Sequence, residues 1–523
     1  MKIHSNFNEF ESTRQIKRGA ILSYVAIAVN ILAGLLYTPW MVQQIGQDNY
    51  GLYTLATSLI SMFLIDFGLS AAVSRFVSRY NAEGDQDSVN NVLGLTYKIY
   101  LLIDFVILFV LIIVYLNLDL IYNKLTPNEL SAFRVVYIIA AAFSILSFPF
   151  TTLNGILTSY EKFAELKICD IFNRISSVLF IIFALLNEYG LYALVTANAI
   201  SGIATILLKL IIIKRKTSVK ANLNFKSKVM VREIFSFSIW SAIVSITQRF
   251  IFNITPSILG SVSGAASIAV FGIASSLEGY VYTIASAING LFLPKVTRIV
   301  IKDNASANLL QLMIKIGRIQ LSIIGIITIG FITIGKDFVI LWMGEEYILS
   351  YYNTIFLILP SLFYLPQQIG NTAIVALNKV RLQAYVFIVM AIINMLFSIV
   401  FSYFWGSLGA SLSICISYFI RNVGMNVIYH KSLKINIFKF FKECYIRLSL
   451  PLLSTLVIGL GTNFIFYGVS RFNLILKGAV IVVTYFILMW IKGFNQYEKD
   501  LVKDTILQLT RKLKGGFKYR DND

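Results

Sequence analysis

Apolar runs of about 20 residues recur along this entire sequence, separated by short polar connections. A run of that length is what an α-helix needs to cross the roughly 30 Å hydrocarbon layer of a bilayer at about 1.5 Å per residue. We count fourteen, from residues 19–40 to residues 478–491. They lack the apolar–polar alternation of barrel strands, so the expected fold class is an all-α integral membrane protein with about fourteen transmembrane helices. Composition agrees, with 57% hydrophobic and 14% charged residues, where a soluble domain carries about 25% charge. A soluble enzyme, a disordered chain, a coiled coil and a disulfide scaffold are excluded. Residues 1–18 are polar, and the apolar run after them is too long for a signal-peptide core, so it reads as a first membrane helix.

Charge sets the orientation. Lys and Arg gather in every second connection, as in Lys214, Arg215, Lys216, Lys220, Lys226, Lys228 and Arg232, while the alternate connections are nearly bare. The positive-inside rule then puts both termini of a multi-pass membrane protein in the cytoplasm. The net charge of +19 reads as a basic cytoplasmic face, and no nucleic-acid partner is expected. The outer connections are short, the longest being about 118–134 and 335–352.

The sequence also repeats. At an offset of 217, Pro149 meets Pro366, Asn154 meets Asn371 and Lys162 meets Lys379. Two six-helix bundles are expected, at 1–213 and 234–430, joined by a basic cytoplasmic linker at 214–233. Residues 431–491 supply helices 13 and 14, and 492–523 form a basic amphipathic tail. Six is even, so both halves start on one side and the repeats are parallel, a transporter architecture with a site between the halves.

A charge in hydrocarbon costs about 2.5–3.5 kcal/mol on insertion scales, so each one asks for a reason. Arg249 sits mid-span, beside Gln248 and one turn before Asn253. It lines a cavity and meets an anionic substrate, or it partners a carboxylate such as Asp66. Asp66 is a candidate for ion or proton coupling, or for pairing with an Arg. Arg174 and Arg421 either extend a cationic lumen or snorkel to the interface. Lys98, Asp170 and Lys209 lie near helix ends and are expected to snorkel. Most of the many Phe and Tyr are read as lipid-facing side chains and interfacial belts, and Pro149, Pro256, Pro360 and Pro366 as span interruptions. Three scattered cysteines and two histidines offer no metal or cofactor site, and the sequence lacks a phosphate-binding loop and hydrolase motifs. The chain is not expected to be an enzyme.

Three local pieces carry a resemblance. Tyr50-Gly51-Leu52-Tyr53 runs into Asp66-Phe67-Gly68-Leu69 and Arg75. Gly155-Ile156-Leu157 precedes Glu161-Lys162-Phe163, and the block over spans 7 and 8 ends in Leu293-Pro294-Lys295. In this order, over a twelve-plus-two helix plan, the chain resembles the Wzx-like polysaccharide repeat-unit flippases of the multidrug/oligosaccharidyl-lipid/polysaccharide exporter superfamily. The resemblance implies a V-shaped pair of bundles around a cationic cavity. It also implies a lipid-linked oligosaccharide as substrate, membrane lipids as surroundings, and a polysaccharide polymerase and glycosyltransferases as partners. Relatives often carry an acidic residue just before the span 7 Arg, where this chain has Gln248. Two alternatives share the fold: a multidrug cation antiporter, which would favour an acidic cavity, and a peptidoglycan-precursor flippase. A membrane glycosyltransferase or polymerase needs larger outer loops.

Overall fold

The computed structural model describes residues 2–64, 66–286, 292–300, 304–504 and 507. Among them every regular element is helical. The first part of the chain forms α1 (Lys2–Ile45), α2 (Gln47–Phe63), α3 (Leu69–Glu83), α4 (Gln86–Leu116), α5 (Leu118–Ile121), α6 (Pro127–Ser147), α7 (Thr152–Ser159), α8 (Phe163–Leu186) and α9 (Gly190–Lys216). Then come α10 (Lys228–Val262), α11 (Ala265–Ser286), α12 (Leu293–Val300), α13 (Ala305–Met343), α14 (Ile348–Ile358), α15 (Ser361–Tyr364), α16 (Gln368–Ala376), α17 (Val380–Leu433), α18 (Ile437–Ile465) and α19 (Arg471–Leu488).

Twelve described segments are long and apolar enough to cross a membrane. Two features separate this number from the fourteen runs of the sequence. The first is α17. A straight helix of its 54 residues would be about 81 Å long. It folds back at Gly406, whose φ of 54° and ψ of −132° are not helical. Ser413 Oγ donates to the carbonyl of Asn394 at 2.9 Å, and Arg421 lies against the ring of Phe387, contacts that only antiparallel arms can make. The second is α2, whose 17 residues reach about 25 Å.

The run expected at 51–72 is broken. α2 ends at Phe63 and α3 starts at Leu69, because Gly68 takes a left-handed conformation with φ of 72°. Asp66 then caps the new helix, its Oδ1 accepting from the Ser70 N–H at 3.1 Å. Between α9, which runs to Lys216, and α10, which begins at Lys228, the chain crosses the region expected as the linker. It is tied to the start of α4. Asn222 N–H donates to the Asn90 carbonyl at 2.9 Å, and Lys98 Nζ donates to the Phe225 carbonyl at 3.1 Å. Of the interrupting prolines, Pro149 and Pro366 lie in 3-10 turns and Pro360 precedes α15, whereas α10 continues through Pro256. Most of the expected tail helix, at 505–506 and 508–523, falls outside the described residues, as do 287–291 of the block over spans 7 and 8.

Contacts group the chain into two compact units. One comprises Met1–Ala287, Tyr352–Leu357 and Asn378–Met425; the other comprises Ile288–Tyr351, Ile358–Leu377 and Asn426–Asp523. In the first, α1 packs along α8, α8 along α9, and α2 against α6, α10 and α11. In the second, α13, α18 and α19 pack on one another. The surface fits lipid. On α4, Leu102, Phe105 and Phe109 are 68%, 70% and 62% exposed, while Tyr100, Asp104 and Leu111 on the other face are buried. In water so continuous an apolar face would be an aggregation site; in a bilayer it is the face the solvent selects.

Candidate functional site

Two cavities lie within the first unit. Helices α1, α6, α8 and α9 border the first, of about 620 Å³, near the ends of the spans that carry the basic connections. Its lining includes three cations, Lys167, Arg174 and Lys209, against one carboxylate, Asp170. Lys209 Nζ donates to Asn154 Oδ1 at 2.9 Å, and Lys167 pairs with Asp170 at 2.9 Å. Lys209 and Asp170 therefore line a cavity, where the sequence suggested snorkelling.

The second cavity, of about 430 Å³, lies between α1, α2, α10 and α11. Its lining combines the phenols Tyr37, Tyr50, Tyr53 and Tyr280 with side-chain amides and hydroxyls. These tyrosines belong to the minority that does not face lipid or the membrane interface. The i, i+3 spacing of Tyr50 and Tyr53, which puts both rings on one helix face, is the signal that could have found them. Tyr53 is held in place: its hydroxyl accepts from Asn198 Nδ2 at 2.7 Å, and Asn198 Oδ1 accepts in turn from Ser177.

Arg174, Asn30 and Thr283 line both cavities, so the guanidinium stands where they meet. It lies eleven residues into α8, about 16 Å along its axis and thus well inside a membrane. Among the described residues no carboxylate forms an ion pair with it, and its Nε is buried without a hydrogen-bond partner. The residue as a whole is half-buried, and a cation at this depth without an anion is costly unless water or a ligand phosphate completes its shell. The hydroxyl of Tyr280 sits close by, against Gly34.

The other expected residues are placed differently. Asn253 lines the second cavity, at the same level as Pro256. Arg249, one turn earlier on α10, is exposed, and Gln248 is half-buried; neither is among the described lining residues of the two cavities. Arg421 is 2% exposed and stacks on the rings of Phe387 and Tyr418, at 4.5 Å and 5.3 Å, a cation–π arrangement. Asp66 accepts from the Tyr100 hydroxyl at 2.9 Å as well as capping α3. Among the described residues no three His, Cys, Asp or Glu side chains gather where a metal would bind.

At the far ends of α2 and α11 the backbones touch. A Cβ on Gly51 would come within 2.2 Å of the Ala265 carbonyl oxygen, so this contact requires glycine.

Fold and cavities together define a multi-pass helical membrane protein with a polar, cation-bearing interior. Residues 16–301 match the family model described as "Polysaccharide biosynthesis protein". That is more than half of the chain, which therefore belongs to this family. The curated proteins contain no sequence match. Among solved structures, the lipid II flippase MurJ in an inward closed conformation is similar, with a TM-score of 0.68 and 15% identity over 92% of this chain and 99% of that one. An inward-facing multidrug resistance MATE family transporter of the MOP superfamily has a TM-score of 0.56 at 15% identity, covering 78% of this chain and 99% of its own. An outward-facing MATE family transporter has a TM-score of 0.57 at 15% identity, covering 81% and 96%. At this identity the likeness is one of fold.

Proposed function

We propose that this chain is a flippase. It moves a polyprenyl-diphosphate-linked oligosaccharide from the cytoplasmic to the outer leaflet of a bacterial cytoplasmic membrane, during synthesis of a surface polysaccharide. The observation that carries the reading is Arg174, deep in the membrane, without an ion-pair partner and at the junction of two polar cavities. A diphosphate supplies the missing anion, and Lys167 and Lys209 extend the cationic path toward the basic connections. Asn253 adds a neutral amide to the lumen from α10; Arg249, Gln248 and Arg421 lie outside the described linings of both cavities, and we assign them to the substrate path only for a state of the transport cycle in which the lumen reaches them. Asp66 remains the candidate for ion or proton coupling. A multidrug cation antiporter of this fold would want an acidic interior, and Asp170 is the single carboxylate among the described lining residues of both cavities.

Energetics ask for such a path. Each oligosaccharide hydroxyl stripped of water without a partner costs several kcal/mol in hydrocarbon. A polar cavity removes that cost while the polyprenyl tail stays in lipid. An inside-negative potential favours outward movement of an anion by about 2.3 kcal/mol per charge per 100 mV. In this reading no covalent bond changes and no cofactor takes part; a polymerase and glycosyltransferases work beside the chain.

We read the topology as fourteen crossings with both termini cytoplasmic, α17 crossing twice and α2 once. Two parallel repeats are supported by helix ends 217 residues apart: Ile45 and Val262, Phe163 and Val380, Lys216 and Leu433. The opposing cavities open in turn by alternating access. In cells, Arg174→Ala should abolish export of the surface polysaccharide at normal protein levels. Arg174→Lys should keep part of it, because the charge remains but the bidentate fork is lost. Normal export by Arg174→Ala would overturn the assignment.

A further inference from the structure

The second cavity carries a selectivity that its charge distribution reveals. We infer that it is a glycan chamber for uncharged sugars, entered past Arg174, which holds the diphosphate at its threshold. The inference rests on the flippase reading above and names the part of the substrate that this chamber takes.

Three observations converge. Arg174, on the border with the first cavity, is the single charged residue among the described lining residues. The rest is uncharged: the amides of Asn30 and Asn253 and several Ser and Thr hydroxyls, with phenol rings and a few apolar side chains, Met41, Phe252, Pro256 and Phe271, between them. Finally, the Tyr53 ring is fixed in advance by Asn198 and Ser177.

Each alternative occupant lacks a feature it needs. A hydrocarbon tail would want a lining such as the groove between α4 and α6, where Leu108, Ile112 and Ile145 line the wall. A cationic drug would want a carboxylate. An acidic sugar would want a second cation, or its own charge would be desolvated without compensation. A neutral pyranose matches what is present. Its C–H faces pack on phenol rings, and its hydroxyls both donate and accept, as amides and hydroxyls do. A volume of about 430 Å³ is that of a small-ligand site, which runs from about 300 to 1,000 Å³. The two cavities thus divide the substrate, anion in the first and sugar in the second.

The test is binding to the full chain in nanodiscs. Three probes are compared: bare polyprenyl diphosphate, the same carrier with a neutral disaccharide, and the carrier with a disaccharide containing a uronic acid. The neutral disaccharide should tighten binding about tenfold over the bare carrier, the worth of one or two net hydrogen bonds. The uronic acid should remove that gain. Tyr53→Ala should bring the neutral probe down to the level at which the same variant binds the bare carrier. Asn253→Ala, a smaller change on another helix, should lose part of the gain and guards against misfolding of the first variant. Arg174→Ala should weaken all three probes alike. Bare carrier that binds, with no gain from the neutral sugar or an equal gain from the uronic acid, overturns the chamber and leaves the flippase reading standing. No binding of any probe overturns the flippase reading, and the chamber with it.

Discussion

Arg318 in the second unit and Arg174 in the first are both guanidinium groups on long apolar helices, and their surroundings are opposite. Arg318 Nε and Nη2 donate to the two carboxylate oxygens of Glu498 at 2.7 Å and 2.8 Å. Its remaining donors reach the Glu443 and Gly493 carbonyls at 3.2 Å and 2.8 Å. Both side chains of the pair are about 95% buried, with 4% and 5% exposure. A second pair in that unit, Lys477 with Asp337 at 2.7 Å, joins α19 to α13. Arg174 has neither a carboxylate nor a full set of acceptors. A buried charge that is saturated within the protein holds structure; one left open at a cavity is available to a ligand. Residue type and depth alone do not separate the two cases.

The largest expected effect breaks the saturated side of this comparison. Arg318→Ala leaves the Glu498 carboxylate buried without its cation, which costs about 3–5 kcal/mol. Thermal unfolding in detergent should show a large loss of stability and a fall in folded yield. The double replacement Arg318→Met with Glu498→Leu should recover most of it, because packed apolar side chains of similar size replace a buried pair at little net cost. If the double variant is as unstable as the single, the pair is doing more than satisfying itself, and the contrast with Arg174 weakens.

The open side should respond in the other currency. Arg174→Met removes a half-buried charge that no anion within the protein offsets, so stability should stay within about 1 kcal/mol or rise, while transport is lost. A fall in stability comparable to that of Arg318→Ala would mean that Arg174 is structural. Melting temperature and transport by the same preparation settle the point.

The helices were legible because hydrocarbon imposes one rule on every span, and twenty apolar residues record it. The reversal inside α17 was legible too, since the apolar runs pause around Gly406. The break at Asp66-Phe67-Gly68 was not, because a left-handed glycine and a capping carboxylate leave no gap in hydrophobicity. Among the arginines, depth picked out Arg249, Arg421 and Arg174 alike. What distinguishes them is the neighbouring helix: aromatic rings cover Arg421, while α1, α9 and α11 leave space around Arg174. Contacts across helices often join residues far apart in the chain, as Asn198 and Tyr53 do at a separation of 145, and no local pattern encodes them. Of the cavity tyrosines, the spacing of Tyr50 and Tyr53 places both rings on one face of α2, but whether that face meets lipid or a cavity is set by the neighbouring helices.

The smallest effect sharpens the comparison most, because it separates position from pairing. Lys167 and Asp170 form an i, i+3 pair at 2.9 Å, yet their side chains are 34% and 43% exposed. Solvent and salt screen such a pair, which contributes about 0–1 kcal/mol. Asp170→Asn should therefore leave the melting temperature nearly unchanged, in contrast to the loss expected for Arg318→Ala. Its consequence should fall on the ligand. Asp170 is the one carboxylate among the described lining residues of the first cavity, against Lys167, Arg174 and Lys209. Removing it strengthens the cationic field that meets the diphosphate, so a polyprenyl-diphosphate probe should bind a few-fold tighter at low salt. The gain should shrink at high salt, where the Debye length falls to about 3 Å at 1 M. If Asp170→Asn instead destabilises the protein or weakens the anion, the carboxylate is part of the site's structure, and an ion pair at a cavity mouth would then have to be weighed as a buried one is.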